Sequence, residues 1–154
     1  MIYVLILGVV VLAAAPLWHF APSKRQRHQA KLRETAALSG LFVEFRDWPL
    51  PPARLERLHT AERQLLYYGC RLPHLRGEVL NTVSWYRDAD GWASLPPRQA
   101  LPELVEQLPD SVLALGLSHS SCGLFWQERG DAEQVAEFAR LLGLWRDSIV
   151  DQRR

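Results

Sequence analysis

The sequence predicts an α+β protein in which one N-terminal transmembrane helix is followed by a small two-layer domain, with a largely antiparallel sheet and packed helices. Three observations carry that prediction. The run from Met1 to Phe20 is apolar and uncharged, several later stretches alternate at strand spacing between turn residues, and the last segment repeats its apolar residues at helical spacing. The division expected is a transmembrane helix over 1–21, a basic juxtamembrane helix over 22–40 and a soluble α+β domain over 41–154.

The first element, MIYVLILGVVVLAAAPLWHF, matches the roughly 20 residues that a helix needs to span hydrocarbon. Pro16 falls near its end, and Trp18 and Phe20 sit where an aromatic interfacial belt is expected. Lys24, Arg25, Arg27, Lys31 and Arg33 follow before any acidic residue, so the positive-inside rule keeps that side in the cytoplasm. A cleaved signal peptide is disfavoured. Its basic residues belong before the apolar run, and cleavage after Ala15 would leave Pro16 next. The expected location is therefore the bacterial inner membrane, single-pass and signal-anchored, with the lipid bilayer as one partner.

Ser23 is placed to cap a polar helix through SKRQRHQAKLRETAALSG, and Gly40 to end it. Its apolar positions, chiefly Leu32, Ala36 and Ala37, look too few to anchor a core, so it reads as a helix beside anionic headgroups or a solvated stalk. The layout of an apolar helix followed by Pro22-Ser23-Lys24-Arg25-Gln26-Arg27-His28-Gln29 resembles the start of YajC-type accessory subunits of the bacterial Sec translocon. The resemblance covers about the first 35 residues and implies the single-pass architecture alone.

Leu41, Val43 and Phe45 alternate with Phe42, Glu44 and Arg46 in a first strand, closed by Trp48-Pro49-Leu50-Pro51-Pro52. A short helix through Leu55 and Leu58 and a strand at Leu65–Tyr68 follow. Residues 79–87 and 92–94 form a hairpin about Asp88-Ala89-Asp90-Gly91, where the Asp-Gly tolerates positive φ. Asp88 and Asp90 have calcium-loop spacing, but the later Glu of such a loop is missing and a turn accounts for them. Pro102 opens a short helix that turns Leu104, Val105 and Leu108 inward. Residues 111–118 and 123–128 give two more strands, the first apolar on both faces and so central. Finally, Val135, Phe138, Leu142, Trp145 and Ile149 make one helical stripe, with Asp131 and Gln134 as a capping pair.

Composition narrows function. With 18 basic and 17 acidic side chains the net charge is +1, which gives no electrostatic bias toward nucleic acid. Six Trp, four Tyr and five Phe indicate a packed fold. No phosphate-binding loop, dinucleotide fingerprint or H-E-x-x-H occurs, and Gly116-Leu117-Ser118-His119-Ser120 lacks the last Gly of a nucleophile elbow. No catalytic residue is assigned. Cys70 and His74, with His119 and Cys122, supply two thiolates and two imidazoles, the donor set of a closed structural zinc site, against the alternative of coincidence and no cofactor.

The function expected is a non-enzymatic binding or scaffold protein with a protein partner. The alternatives are a tethered enzyme, with His119, Ser120 and Cys122 gathered near an acid, and a zinc-stabilised domain. A binding module leaves a solvent-facing apolar patch, for which Trp85, Trp92 and Trp126 are candidates.

Overall fold

The computed structural model describes Tyr3, Ile6, residues 22–73 and residues 82–152. The chain divides into two compact units, 1–31 and 32–154.

In the first unit Ser23 forms the cap its sequence announces. Its Oγ accepts from the Gln26 N–H at 3.2 Å, and Gln26 Oε1 accepts from the Ser23 N–H at 2.8 Å, a reciprocal pair that satisfies two orphan donors. Lys24, Arg25, Arg27 and Lys31 are exposed on this turn of helix. The transmembrane prediction is corrected here. Among the described residues no helix is long and apolar enough to cross a membrane, and the single-pass, signal-anchored description loses its support. The longest described helix, with 20 residues, carries Glu133, Glu137, Arg140, Arg146 and Asp147, and the basic helix is polar along most of its length. Trp18 and Phe20 lie outside the described residues.

The second unit is an α+β domain around one six-stranded antiparallel sheet. Helix α1 (Lys24–Leu38) ends in it, followed by β1 (Phe42–Asp47), a single helical turn α2 (Pro52–Leu55), a 3-10 turn (Thr60–Glu62) and β2 (Gln64–Arg71). Then come β3 (Val83–Asp88), β4 (Gly91–Leu95), a second 3-10 turn (Glu103–Gln107), β5 (Val112–Leu117), β6 (Ser121–Trp126) and α3 (Ala132–Asp151). The strand order is β1-β2-β6-β5-β3-β4. β5 is central, as its apolar faces require, and β6 is buried along its whole length.

Each turn has its chemical reason. Gly40, at φ +81, ends α1. Its N–H and that of Leu41 return to the carbonyls of Ala37 and Ala36 at 3.1 and 2.9 Å, a Schellman arrangement that needs a residue free to adopt positive φ. Gly91, at φ +123, closes the β3–β4 hairpin. Asp131 Oδ1 accepts from the Gln134 N–H at 2.9 Å and starts α3.

One face of the sheet, with Tyr68, Leu115, Leu124 and Trp126, packs on Leu32 and Ala36 of α1 and on Val135, Phe138, Leu142 and Ile149 of α3. Leu32 and Ala36 are fully buried, so the end of α1 is part of the core rather than a stalk. An alanine there lets the helix approach the sheet closely, which a count of large apolar residues undervalues. The other face, with Tyr67, Tyr86, Ala114 and Phe125, is covered by Trp48, Leu50, Leu55 and Leu58.

On that second face Gly69, Gly123 and Gly116 stand side by side on three neighbouring strands. The Tyr67 ring fills the trough they leave, 2.5 Å from where a Cβ on Gly69 or Gly123 would stand. Arg46 lies over the same ring, its Cζ 3.8 Å from the centroid, in cation–π geometry.

Candidate binding groove

Helix α3 and the 3-10 turn 103–107 leave a groove of about 450 Å³ between them, at the edge of the helical layer. Trp85, Leu104, Leu117, Leu141, Trp145 and Ile149 line it. Trp85 comes from β3, and its indole N–H donates to the Ala100 carbonyl at 3.1 Å, which ties the 96–102 segment to the sheet. Its ring meets that of Trp145 edge-on, with centroids 6.0 Å apart. The α3 stripe therefore serves two surfaces: Phe138 and Leu142 enter the core, while Trp145 and Ile149 reach the groove.

Two further apolar side chains stand on the groove and face solvent, Leu101 at 49% exposure and Leu144 at 58%. Polar groups sit among the lining residues: Glu103 and Gln107 on the 3-10 turn, Ser148 and Gln152 on the α3 side. Of the tryptophans expected at a binding surface, Trp126 is core and Trp92 is partly buried against the core. Trp85 is buried but forms groove wall. Sequence periodicity had no means of selecting Leu101 and Leu144, whose exposure depends on where the 3-10 turn lands.

The zinc donor set is placed only in part. Cys70 and Cys122 are cross-strand neighbours on β2 and β6, both buried and not joined in a disulfide. His119 is exposed in the tight turn between β5 and β6, and His74 lies outside the described residues. Among the described residues no group of three or more His, Cys, Asp or Glu stands together as a metal site. Cys70 Sγ instead receives a hydrogen bond from Arg146 at 3.7 Å.

The nucleophile-elbow segment forms strand, turn and strand. The Ser118 hydroxyl accepts from the Ser121 N–H at 3.2 Å and closes the turn, with His119 and Ser120 exposed at its tip. Cys122 is fully buried, so His119, Ser120 and Cys122 do not form a shared cleft. Asp88, spaced like a calcium ligand, holds Arg54 through both carboxylate oxygens at 2.8 Å, and that contact depresses its pKa.

Arg33, read from the sequence as facing headgroups, grips Glu128 in a bidentate pair at 2.8 and 3.0 Å. Tyr68 donates its hydroxyl to the same carboxylate at 2.8 Å. Glu128 is buried and holds φ +53, a left-handed conformation unusual for a side chain of its size. The trio fixes α1 to β2 and to the end of β6, and the hydrogen bonds that Arg33 donates to Glu128 raise its pKa above the ordinary value.

Burial pushes the Tyr67 phenol up from 10.0 to about 12, and burial also raises Tyr68, reinforced by its hydrogen bond to Glu128. Both phenols are thus held neutral in the fold. The stability from Tyr67 is fully present below its ordinary pKa and is lost as pH rises from 10 through about 12, about 3 kcal/mol in all. Alkaline titration followed by phenolate absorbance is expected to show Tyr67 and Tyr68 ionising only together with the loss of near-ultraviolet dichroism. Their ionisation at ordinary phenol pKa with the fold intact would contradict this placement.

No family model, curated protein or solved structure matches this chain.

Proposed function

We propose that residues 32–154 form a non-enzymatic binding module whose groove, between α3 and the 3-10 turn, takes the apolar face of an amphipathic helix from a partner protein. One observation carries the reading: Leu101 and Leu144 stand about half exposed or more on a groove already walled by two tryptophans. Fully burying a leucine is worth about 1.5–3 kcal/mol, so a cover over this rim has a clear gain.

The volume alone would suit a small apolar ligand, since such pockets run from about 300 to 1,000 Å³. A small molecule inside the groove, however, leaves the two leucines on its rim in water, whereas a helix laid along it covers both. Helix-in-groove recognition uses anchors at i, i+3 or i+4 and i+7, and Trp85 and Trp145 offer the aromatic walls that such anchors fit. Glu103 among the lining residues favours a lysine or arginine flanking the anchors.

The test is selection of displayed peptides, each about four helical turns long, against the full-length chain, followed by affinity measurement with the wild type and Leu144→Glu. Selected peptides are expected to carry apolar residues at helical spacing, and Leu144→Glu to weaken them at least tenfold. Because Leu144 is exposed, the same substitution is expected to change stability by no more than about 0.5 kcal/mol. Equal binding to both chains, or selection only of peptides without helical spacing, would overturn the proposal.

A further inference from the structure

β1 pairs with β2 on one side and, among the described residues, ends the sheet on the other, and its Phe45 is 63% exposed. The direction of its free backbone groups follows from the register. Trp48 donates its N–H to the Arg63 carbonyl, and that pair continues the ladder Asp47↔Gln64, Arg46↔Leu65, Phe45↔Leu66. Hydrogen-bonded and non-hydrogen-bonded pairs alternate in an antiparallel ladder. Arg46, Glu44 and Phe42 therefore bond inward to β2, and the N–H and C=O of Val43, Phe45 and Asp47 point outward from the edge.

Exposed edges are commonly protected by charged side chains, by proline or by bulges. β1 has no proline and no bulge, and its Glu44 and Arg46, already ion-paired with each other along the strand, put both signs of charge on the face opposite Phe45. Its sequence is self-complementary in one register. When two copies run antiparallel with Phe45 opposite Phe45, Val43 faces Asp47 and Glu44 faces Arg46 on both sides of the two-fold axis. The three outward-pointing pairs then exchange two bonds each, about six backbone hydrogen bonds. Shifting the axis toward Glu44 puts Glu44 opposite Glu44, and shifting it toward Arg46 puts Arg46 opposite Arg46. Like charges directly opposite are destabilising, opposite charges and aromatic pairs the reverse.

We infer that β1 is a homodimerisation edge, on which a second copy of this chain adds its own β1 antiparallel about Phe45, joining two six-stranded sheets into one. The partner is a second copy because the Glu44 and Arg46 pattern matches its own reverse, the condition that a two-fold interface imposes.

The test uses the full chain. Wild type is expected to sediment as a dimer that Glu44→Arg and Arg46→Glu each weaken at least tenfold by creating like-charge pairs. Mixing the two variants restores association, because one then carries two positive charges on this face of β1 and the other two negative charges, so that both cross-strand pairs join opposite signs. Arg46 also stacks on Tyr67, so a second measurement avoids any folding defect. Phe45→Cys is expected to form an intermolecular disulfide on mild oxidation, since Cα atoms in a hydrogen-bonded pair are about 5.5 Å apart. Glu44→Cys is expected to resist cross-linking to itself. A monomeric wild type at about 100 μM, far above the micromolar range of weak specific contacts, would overturn the inference. So would equal cross-linking at both cysteine positions, or a mixture that fails to reassociate.

Discussion

Glu128→Ala is expected to lower the unfolding free energy by about 2–3 kcal/mol, and Glu128→Gly by less. The first effect follows from what the carboxylate holds. Its removal leaves the Tyr68 hydroxyl without its acceptor in the core and releases the Arg33 end of α1. Arg33 is 39% exposed and can turn to water, which keeps the loss below that of a fully buried pair. The order of the two variants tests the backbone. Glycine is ordinarily the more disruptive choice, but at φ +53 it is free of the strain that alanine keeps. Urea unfolding of both variants measures this directly. A Gly variant less stable than the Ala variant would show that the left-handed conformation is not held in solution. A double-mutant cycle with Arg33→Ala is expected to give coupling of about 1 kcal/mol or more, as groups in one network do.

A larger effect is expected at Gly123, where Val should abolish folding and Ala should cost about 3 kcal/mol or more. A Cβ there meets the Tyr68 backbone carbonyl as well as the Tyr67 ring, at 2.5 Å from Cζ. The ring can shift, but the carbonyl belongs to the neighbouring strand of the ladder and cannot move without breaking it. Gly69 is a built-in comparison, because the atoms nearest its Cβ belong to the side chains of Phe42 and Tyr67, each at 2.5 Å, and not to backbone. Gly69→Ala is therefore expected to recover part of its loss in a Phe42→Ala background, while Gly123→Ala recovers little when Tyr67 is shortened. Circular dichroism with denaturant titration of the two pairs separates these cases, and equal rescue at both glycines would contradict the crowding by backbone.

Local features were the most legible in the sequence. The Ser23 cap, Gly40, the Asp88–Gly91 turn and the Asp131 cap all depend on residues within a few positions of one another, where side-chain chemistry alone decides the conformation. The α3 stripe was readable for the same reason, although Leu141 joins the core beside the five residues that the spacing picked out. What escaped reading depends on residues distant in sequence. Arg33 and Glu128 are separated by 95 positions, and nothing near Arg33 distinguishes it from the other basic residues of its helix. The glycine trough is likewise a property of three strands set in register, invisible in any one of them. Helix burial was misjudged at Leu32 and Ala36 because two small contact points suffice when a helix end is also pinned by an ion pair. The groove was half legible: Trp145 and Ile149 belong to the stripe, but only the fold turns that end of the stripe away from the core and brings Trp85 and Leu101 to it.

The most direct test of the binding reading is to label the indole nitrogens and titrate the full chain with a selected helical peptide, following each tryptophan N–H by NMR. Trp85 and Trp145 line the groove, whereas Trp126 packs against Tyr68 and Phe138 in the core. Saturable shifts are expected at Trp85 and Trp145 with Trp126 unmoved, and their loss is expected in Leu144→Glu. Shifts centred on Trp92 or Trp48, or none at a peptide concentration that saturates binding, would contradict a helix seated in this groove.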